Sequence, residues 1–221
     1  MKIAQQDNPF NTFMSRVGDL AMINIAWAVC CLPVVTIGAS TAAMFEVVRC
    51  LHEDNDAHVL KRFSRAFMRR FTASLALELI AAVFLALGTF DLWYLTKLSP
   101  DTTFASLAYG VIIAIALIVA IGAGFVFPVT SRSKLSVGAQ IMQSFRIAIA
   151  HPVVALEVFV LNALPVVIAT FVPGGLFPVV FFWGLLLTAA SAWLTIYLML
   201  GAGIITLRVD SSTEPVQQTT E

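Results

Sequence analysis

Residues 72–96 read TASLALELIAAVFLALGTFDLWYLT, twenty-five positions holding two carboxylates, Glu78 and Asp91, and no basic side chain. A bilayer core about 30 Å thick is crossed by about 20 apolar helical residues. Only a helix or a closed barrel satisfies its own backbone in lipid. Three further stretches meet the same requirement, 104–127, 153–172 and 176–207, the last long enough to tilt or project beyond the membrane. Leu98-Ser99-Pro100-Asp101 and Pro173-Gly174-Gly175 carry turn chemistry between them, so both hairpins turn on one side. Composition agrees: 59% of the 221 residues are hydrophobic and 12% charged, where a soluble domain carries about 25%. The expected fold is all-α, a polytopic transmembrane helical bundle of five to six spans. It forms a single membrane domain over 1–207, followed by a polar tail, 208–221, read as disordered.

The uncertain number comes from 17–51, too long for one crossing and interrupted by Pro33 and Gly38. It is one broken span or a hairpin of two. The positive-inside rule favours the hairpin, which leaves Lys97 alone outside against twelve basic residues inside, where one crossing puts three outside and ten inside. Either reading puts the basic loop 52–71 and the C-terminus on the cytoplasmic side of a cell membrane, and the hairpin adds the N-terminus. The first fifteen residues lack the layout of a cleaved leader, so the first apolar segment is expected to be retained.

Asp56 is placed to cap a helix in that loop. Leu60, Phe63, Phe67 and Phe71 share one face, with Lys61, Arg62, Arg65 and Arg69 on the other. This predicts an amphipathic interfacial helix, its phenylalanines in the headgroup boundary and its cations on anionic lipid or a partner. An echo relates Ala66-Phe67…Glu78 to Ser144-Phe145…Glu157, as in a duplicated hairpin, although apolar spans also resemble each other by composition alone.

Ionisable groups within spans are functional candidates because they are costly there. Glu46 and Arg49, one turn apart, read as a self-neutralising pair. Glu78 and Glu157 read as partners of Arg49, Arg70 or His151, or else as a shared acidic site for a proton or cation. Asp91, Trp93 and Tyr94 mark an aromatic belt. Asn24 and Asn162 are candidate interhelical hydrogen-bond glue, and Gly122-Ala123-Gly124 and Gly201-Ala202-Gly203 are packing positions. His52 and His58 with their acidic neighbours match no metal spacing, and Cys30, Cys31 and Cys50 lack a C-x-x-C pattern, so no metal or cofactor is expected. No catalytic signature is present, no enzyme activity is expected, and the charge balance, thirteen basic against thirteen acidic, gives no reason for a nucleic-acid partner.

The run Cys31-Leu32-Pro33-Val34-Val35-Thr36-Ile37-Gly38-Ala39-Ser40-Thr41-Ala42-Ala43, followed by Phe63-Ser64-Arg65-Ala66-Phe67-Met68-Arg69-Arg70-Phe71, resembles the YesL family of bacterial membrane proteins. The resemblance implies a domain of unknown function, often encoded near carbohydrate uptake transporters and glycan-degrading enzymes. The expected role is therefore a non-catalytic accessory or regulatory protein beside an ABC-type carbohydrate uptake system, its partners being lipid and transporter subunits. The alternative is a small secondary transporter or channel using Glu78 and Glu157, and a less favoured one an intramembrane enzyme. Pro33, Thr36, Gly38 and Ser40 make sense as a turn. Pro33 removes a helical hydrogen bond, Gly38 permits a conformation closed to other residues, and the hydroxyls rebond the freed backbone or cap the next helix. Such a broken helix is either a structural elbow or a ligand site at its positive end.

Overall fold

The computed structural model describes residues 9–53, 58–97, 103–133 and 135–206. The expected Asp56 cap, the 98–101 connector and the tail lie outside them. Every described element is helical: α1 Pro9–Cys30, α2 Ile37–Glu53, α3 Val59–Leu95, α4 Thr103–Ala123, α5 Val126–Thr130, α6 Val137–Ala150, α7 Pro152–Phe171, α8 Leu176–Pro178 continuing as a π-helical stretch Val179–Leu187, and α9 Thr188–Gly201. Five helices are long and apolar enough to cross a membrane, and a sixth span results if the 65° bent pair Leu176–Gly184 and Thr188–Gly201 is counted as one. This is an all-α polytopic bundle.

The first apolar region is a hairpin. Proline disfavours helix in the residue before it, and α1 accordingly stops at Cys30, three positions ahead of Pro33. One 3₁₀ turn, Val34–Thr36, leads into α2. The Thr36 hydroxyl reaches both the Cys30 and Pro33 carbonyls, orphaned acceptors at the turn. The two limbs return side by side. Arg16 donates to the Leu51 carbonyl at 2.9 Å and the Trp27 indole N–H to the Thr41 hydroxyl at 3.1 Å.

α3 packs antiparallel on α2 in the same register, Arg69 meeting Glu46 and Glu78 meeting Gly38. It then runs on past Glu78 to Leu95, 17 residues or about 25 Å beyond the level of α2's start. Counting about 30 Å back from Trp93 and Tyr94 reaches residues 73–74, close to Glu78. The turn of the α1–α2 hairpin thus lies level with Glu78, and the far part of α3 extends beyond it, although both limbs are long and apolar enough to cross a membrane.

The predicted interfacial helix is instead the first third of α3, uninterrupted through Phe71. Phe63, only 3% exposed, and Ala66 belong to the main core with Ile23, Ala43, Met44, Val47, Val48 and Leu51, and Phe67 packs against them. The face expected in the headgroup boundary instead packs Phe63 and Phe67 on protein, while Leu60, expected on the same face, is exposed. The α1–α2 hairpin offers a complementary apolar surface, and docking on it removes Phe63 from both water and headgroups.

The remaining spans also carry breaks. α4 ends at Ala123, before α5. α6 and α7 are separated at His151, where Pro152 cannot continue the preceding helix. The proposed repeat therefore differs in its two copies, the first passing through its elbow as one helix and the second broken. The predicted single span 176–207 is split at the π-helical stretch.

Candidate functional site

Glu78 lies at the depth where α2 begins. The first N–H groups of a helix have no intrahelical acceptor and carry its positive partial charge. Glu78 Oε2 accepts the Gly38 N–H at 3.0 Å, so the cap of α2 comes from α3, forty residues along the chain. Ser40 and Thr41, expected to be able to cap, donate back to the Thr36 and Ile37 carbonyls, both at 2.8 Å. Gly38 does not adopt positive φ, contrary to the expectation; Gly174 and Gly203 do. Its value is proximity. A Cβ there would sit 3.0 Å from the Ser74 carbonyl and 3.1 Å from Glu78 Oε2. The break motif is thus the contact surface that lets α2 and α3 touch.

Below it lies the charged end. Glu46 pairs with Arg69 across the α2–α3 interface, not with Arg49. Arg49 approaches Glu53 at 3.8 Å and donates to the Thr206 carbonyl at 2.9 Å. The i,i+3 pair is absent because α2's arginine and glutamate point to different neighbours. Arg132 grips Glu53 with two nitrogens, at 2.6 and 2.5 Å, and reaches Cys50 Sγ at 3.3 Å. Burial works against the Arg132 cation, but the bonds to Glu53 and Cys50 outweigh it and raise its pKa. Arg70 bonds the Ser133 carbonyl. The exposed face of α3 carries Lys61 and Arg65. His52 stacks on Trp193 at 4.8 Å, and among the described residues no three His, Cys, Asp or Glu side chains are grouped to hold a metal ion. All three cysteines are free and half-buried.

None of the cavities described is lined by both Glu78 and Glu157. Glu157 is exposed in an apolar groove between α7 and α9 with Leu156, Val160, Leu161, Leu164, Leu194 and Leu198. Neither glutamate meets Arg49, Arg70 or His151 in a described ion pair. At the far end Asp91, Trp93 and Tyr94 are exposed, and the Lys97 ammonium lies 5.5 Å from the Trp93 ring centre.

Sequence reasoning missed one site. A half-open cavity of about 410 Å³ lies between the hairpin, the α4–α5 break, α7, the π-helical stretch and α9. Asn24 supports its wall, for its amide donates to the Trp183 and Gly184 carbonyls at 3.1 and 2.5 Å and its oxygen accepts the Ala189 N–H at 2.8 Å. Those are backbone groups at the helix break, where lipid offers no partner. Asn24 is thus an interhelical tie, as expected. Asn162 is not: its amide donates to Val158 of its own helix at 2.8 Å, and its side chain lines the cavity. The signal for this cavity was dispersed over Asn24, Asn162, Gly124 and Pro165, four segments that only tertiary structure brings together.

Residues 20–92, the hairpin from mid-α1 together with most of α3, match the family model described as "Protein of unknown function, DUF624". The chain is 33% identical over 156 residues to the uncharacterized protein YesL of Bacillus subtilis (strain 168), a match covering 67% of this chain and 71% of that protein. No solved structure matches it significantly. Fold and site define a helical membrane protein of polytopic class. The chain belongs to the YesL-like DUF624 family, whose function is unknown.

Proposed function

We propose that this is a non-catalytic protein of the bacterial cell membrane that acts by association, as an accessory or regulatory component beside an ABC-type carbohydrate uptake system. Its charged end faces the cytoplasm, in keeping with the positive-inside rule. One observation carries the reading: the three glutamates Glu46, Glu53 and Glu78 are engaged in tying helices together. Glu46 is held by Arg69, Glu53 by Arg132 and Glu78 by the Gly38 N–H, so they do not converge on a reacting centre. The exposed Lys61 and Arg65 then offer a basic face to anionic headgroups or to a transporter subunit. The carbohydrate system is what the family resemblance implies. Photo-crosslinkers at positions 61 and 65 in native membranes should capture permease or ATPase subunits of such a system. Capture of lipid alone, with full function retained in Lys61→Glu/Arg65→Glu, would refute the proposal.

A second reading, a small secondary transporter, draws support from the break at Pro33 and the interrupted spans, features of transporter sites. It predicts ion-dependent flux in proteoliposomes. Unchanged flux in Glu78→Gln/Glu157→Gln would remove the acidic pair from it.

A further inference from the structure

We propose that the cavity between the hairpin, α4, α7 and α9 is a binding site for an uncharged single-chain amphiphile with a hydroxylated head, of the monoacylglycerol kind. The inference does not depend on any transporter partner. No charged side chain lines the cavity, so an ion or a phosphate would enter without a counter-charge. The polar groups on its wall are neutral: the Trp27 indole, the Asn162 amide and the hydroxyls of Thr41, Thr188, Ser191 and Thr195.

Most of these are already engaged. Trp27 bonds Thr41, Thr188 bonds the Trp183 carbonyl, and Thr195 bonds the Ser191 carbonyl. Two are not. The Ser191 hydroxyl has no hydrogen bond among the described residues, and Asn162 retains an amide oxygen and one N–H after its bond to Val158. They stand on different walls, α9 and α7, and supply a donor and acceptor set that fits a hydroxyl-bearing head. The rest of the lining is apolar, as a chain requires.

The surrounding backbone points the same way. Irregular helix in a membrane is tolerated where it lines a cavity or is buried by protein. Here the α4–α5 break at Ala123 and Gly124, the internal Pro165 of α7 and the junction from Trp183 to Thr188 all contribute to this one wall. π-Helical segments recur at functional sites. A volume of about 410 Å³ lies at the small end of the range for ligand cavities, suiting a head and part of one chain rather than a two-chain lipid.

Trp27 and Trp183 in the wall make the test direct. A Trp93→Phe/Trp193→Phe protein in phosphatidylcholine nanodiscs is titrated with a monoacylglycerol brominated in its chain. Quenching should saturate, and Asn162→Leu/Ser191→Ala should weaken it about tenfold or more, since two hydrogen bonds are lost. Ser191→Thr should retain binding, and Ala120→Phe, which fills the cavity from an exposed lining position, should abolish the saturable phase while thermal unfolding stays cooperative. Quenching that rises linearly with membrane content, or equally in every variant, overturns the proposal. So does equal competition by a lysophosphatidate of the same chain, which would show that charge is accepted.

Discussion

Replacing Glu78 tests whether the hairpin tip is held from outside its own sequence. Its carboxylate accepts the Gly38 N–H at 3.0 Å at the positive end of α2. A hydrogen bond to a charged group contributes about 1.5–3 kcal/mol. A carboxylate at a partly buried helix N-terminus gains up to about 2 kcal/mol from the dipole, a contribution that overlaps the first. Glu78→Leu removes the acceptor and leaves the N–H unpaired, at an expected cost of about 2–3 kcal/mol. Glu78→Gln keeps an acceptor and loses the charge, for about 1 kcal/mol. The global loss is read by unfolding in mixed micelles, and the local one by amide exchange over residues 37–41. If those amides exchange by local opening, Glu78→Leu accelerates them roughly 30- to 150-fold, at 1.4 kcal/mol per factor of ten. If Leu leaves both stability and exchange at wild-type values, Glu78 is not the cap and the account of the hairpin fails.

Phe63→Ala should destabilise the bundle by about 3–5 kcal/mol in the same unfolding assay, because Phe63 is core; a headgroup-facing phenylalanine would cost far less. Asn24→Leu removes the side-chain partner of the Gly184 carbonyl and the Ala189 N–H at the bend, the Trp183 carbonyl keeping Thr188, and a loss of about 1–3 kcal/mol is expected in thermal unfolding. Arg132→Ala removes the two-nitrogen grip on the mostly buried Glu53 carboxylate, leaving Arg49 at 3.8 Å, and should cost about 1–3 kcal/mol, reduced by the partial exposure of the arginine, with Arg132→Met/Glu53→Met recovering much of it in a double-mutant cycle. A cysteine at Val35, in the hairpin turn, should resist a membrane-impermeant maleimide from both sides in the Cys30→Ala/Cys31→Ala/Cys50→Ala background, whereas one at the exposed Ser64 should label from one side only. Labelling of Val35→Cys from the side opposite to Ser64→Cys would show a full crossing.

Helix and membrane class were readable at residues 72–96 because lipid imposes its length and polarity rules locally, without reference to the rest of the chain. The choice between a broken span and a hairpin was approached through charge, yet its depth was invisible, since it depends on which residue of α3 meets Gly38. Phe63, Phe67 and Phe71 announced a buried face without saying whether lipid or protein buries it. The Glu46–Arg49 pairing failed for a related reason. Spacing along one helix names possible partners without ranking them: Arg69 reaches Glu46 from α3, and Arg49 turns to Glu53, four residues on along α2. The cavity left no local pattern, being assembled from single polar or interrupting residues on several elements.

Because Gly38 and Glu46 find their partners on α3, the α2–α3 pair makes its contacts without the later helices, while the core around Phe63 is completed by Ala189, Ala192 and Ile196 of α9. The α2–α3 contacts, so close in sequence, form early and quickly. During synthesis this pair would form as soon as α3 emerged, while Asn24 waits for the backbone at Trp183 and Ala189. The last helices would then complete a core already begun, and a lesion at Asn24 would reveal itself late in assembly, as a protein inserted but unclosed.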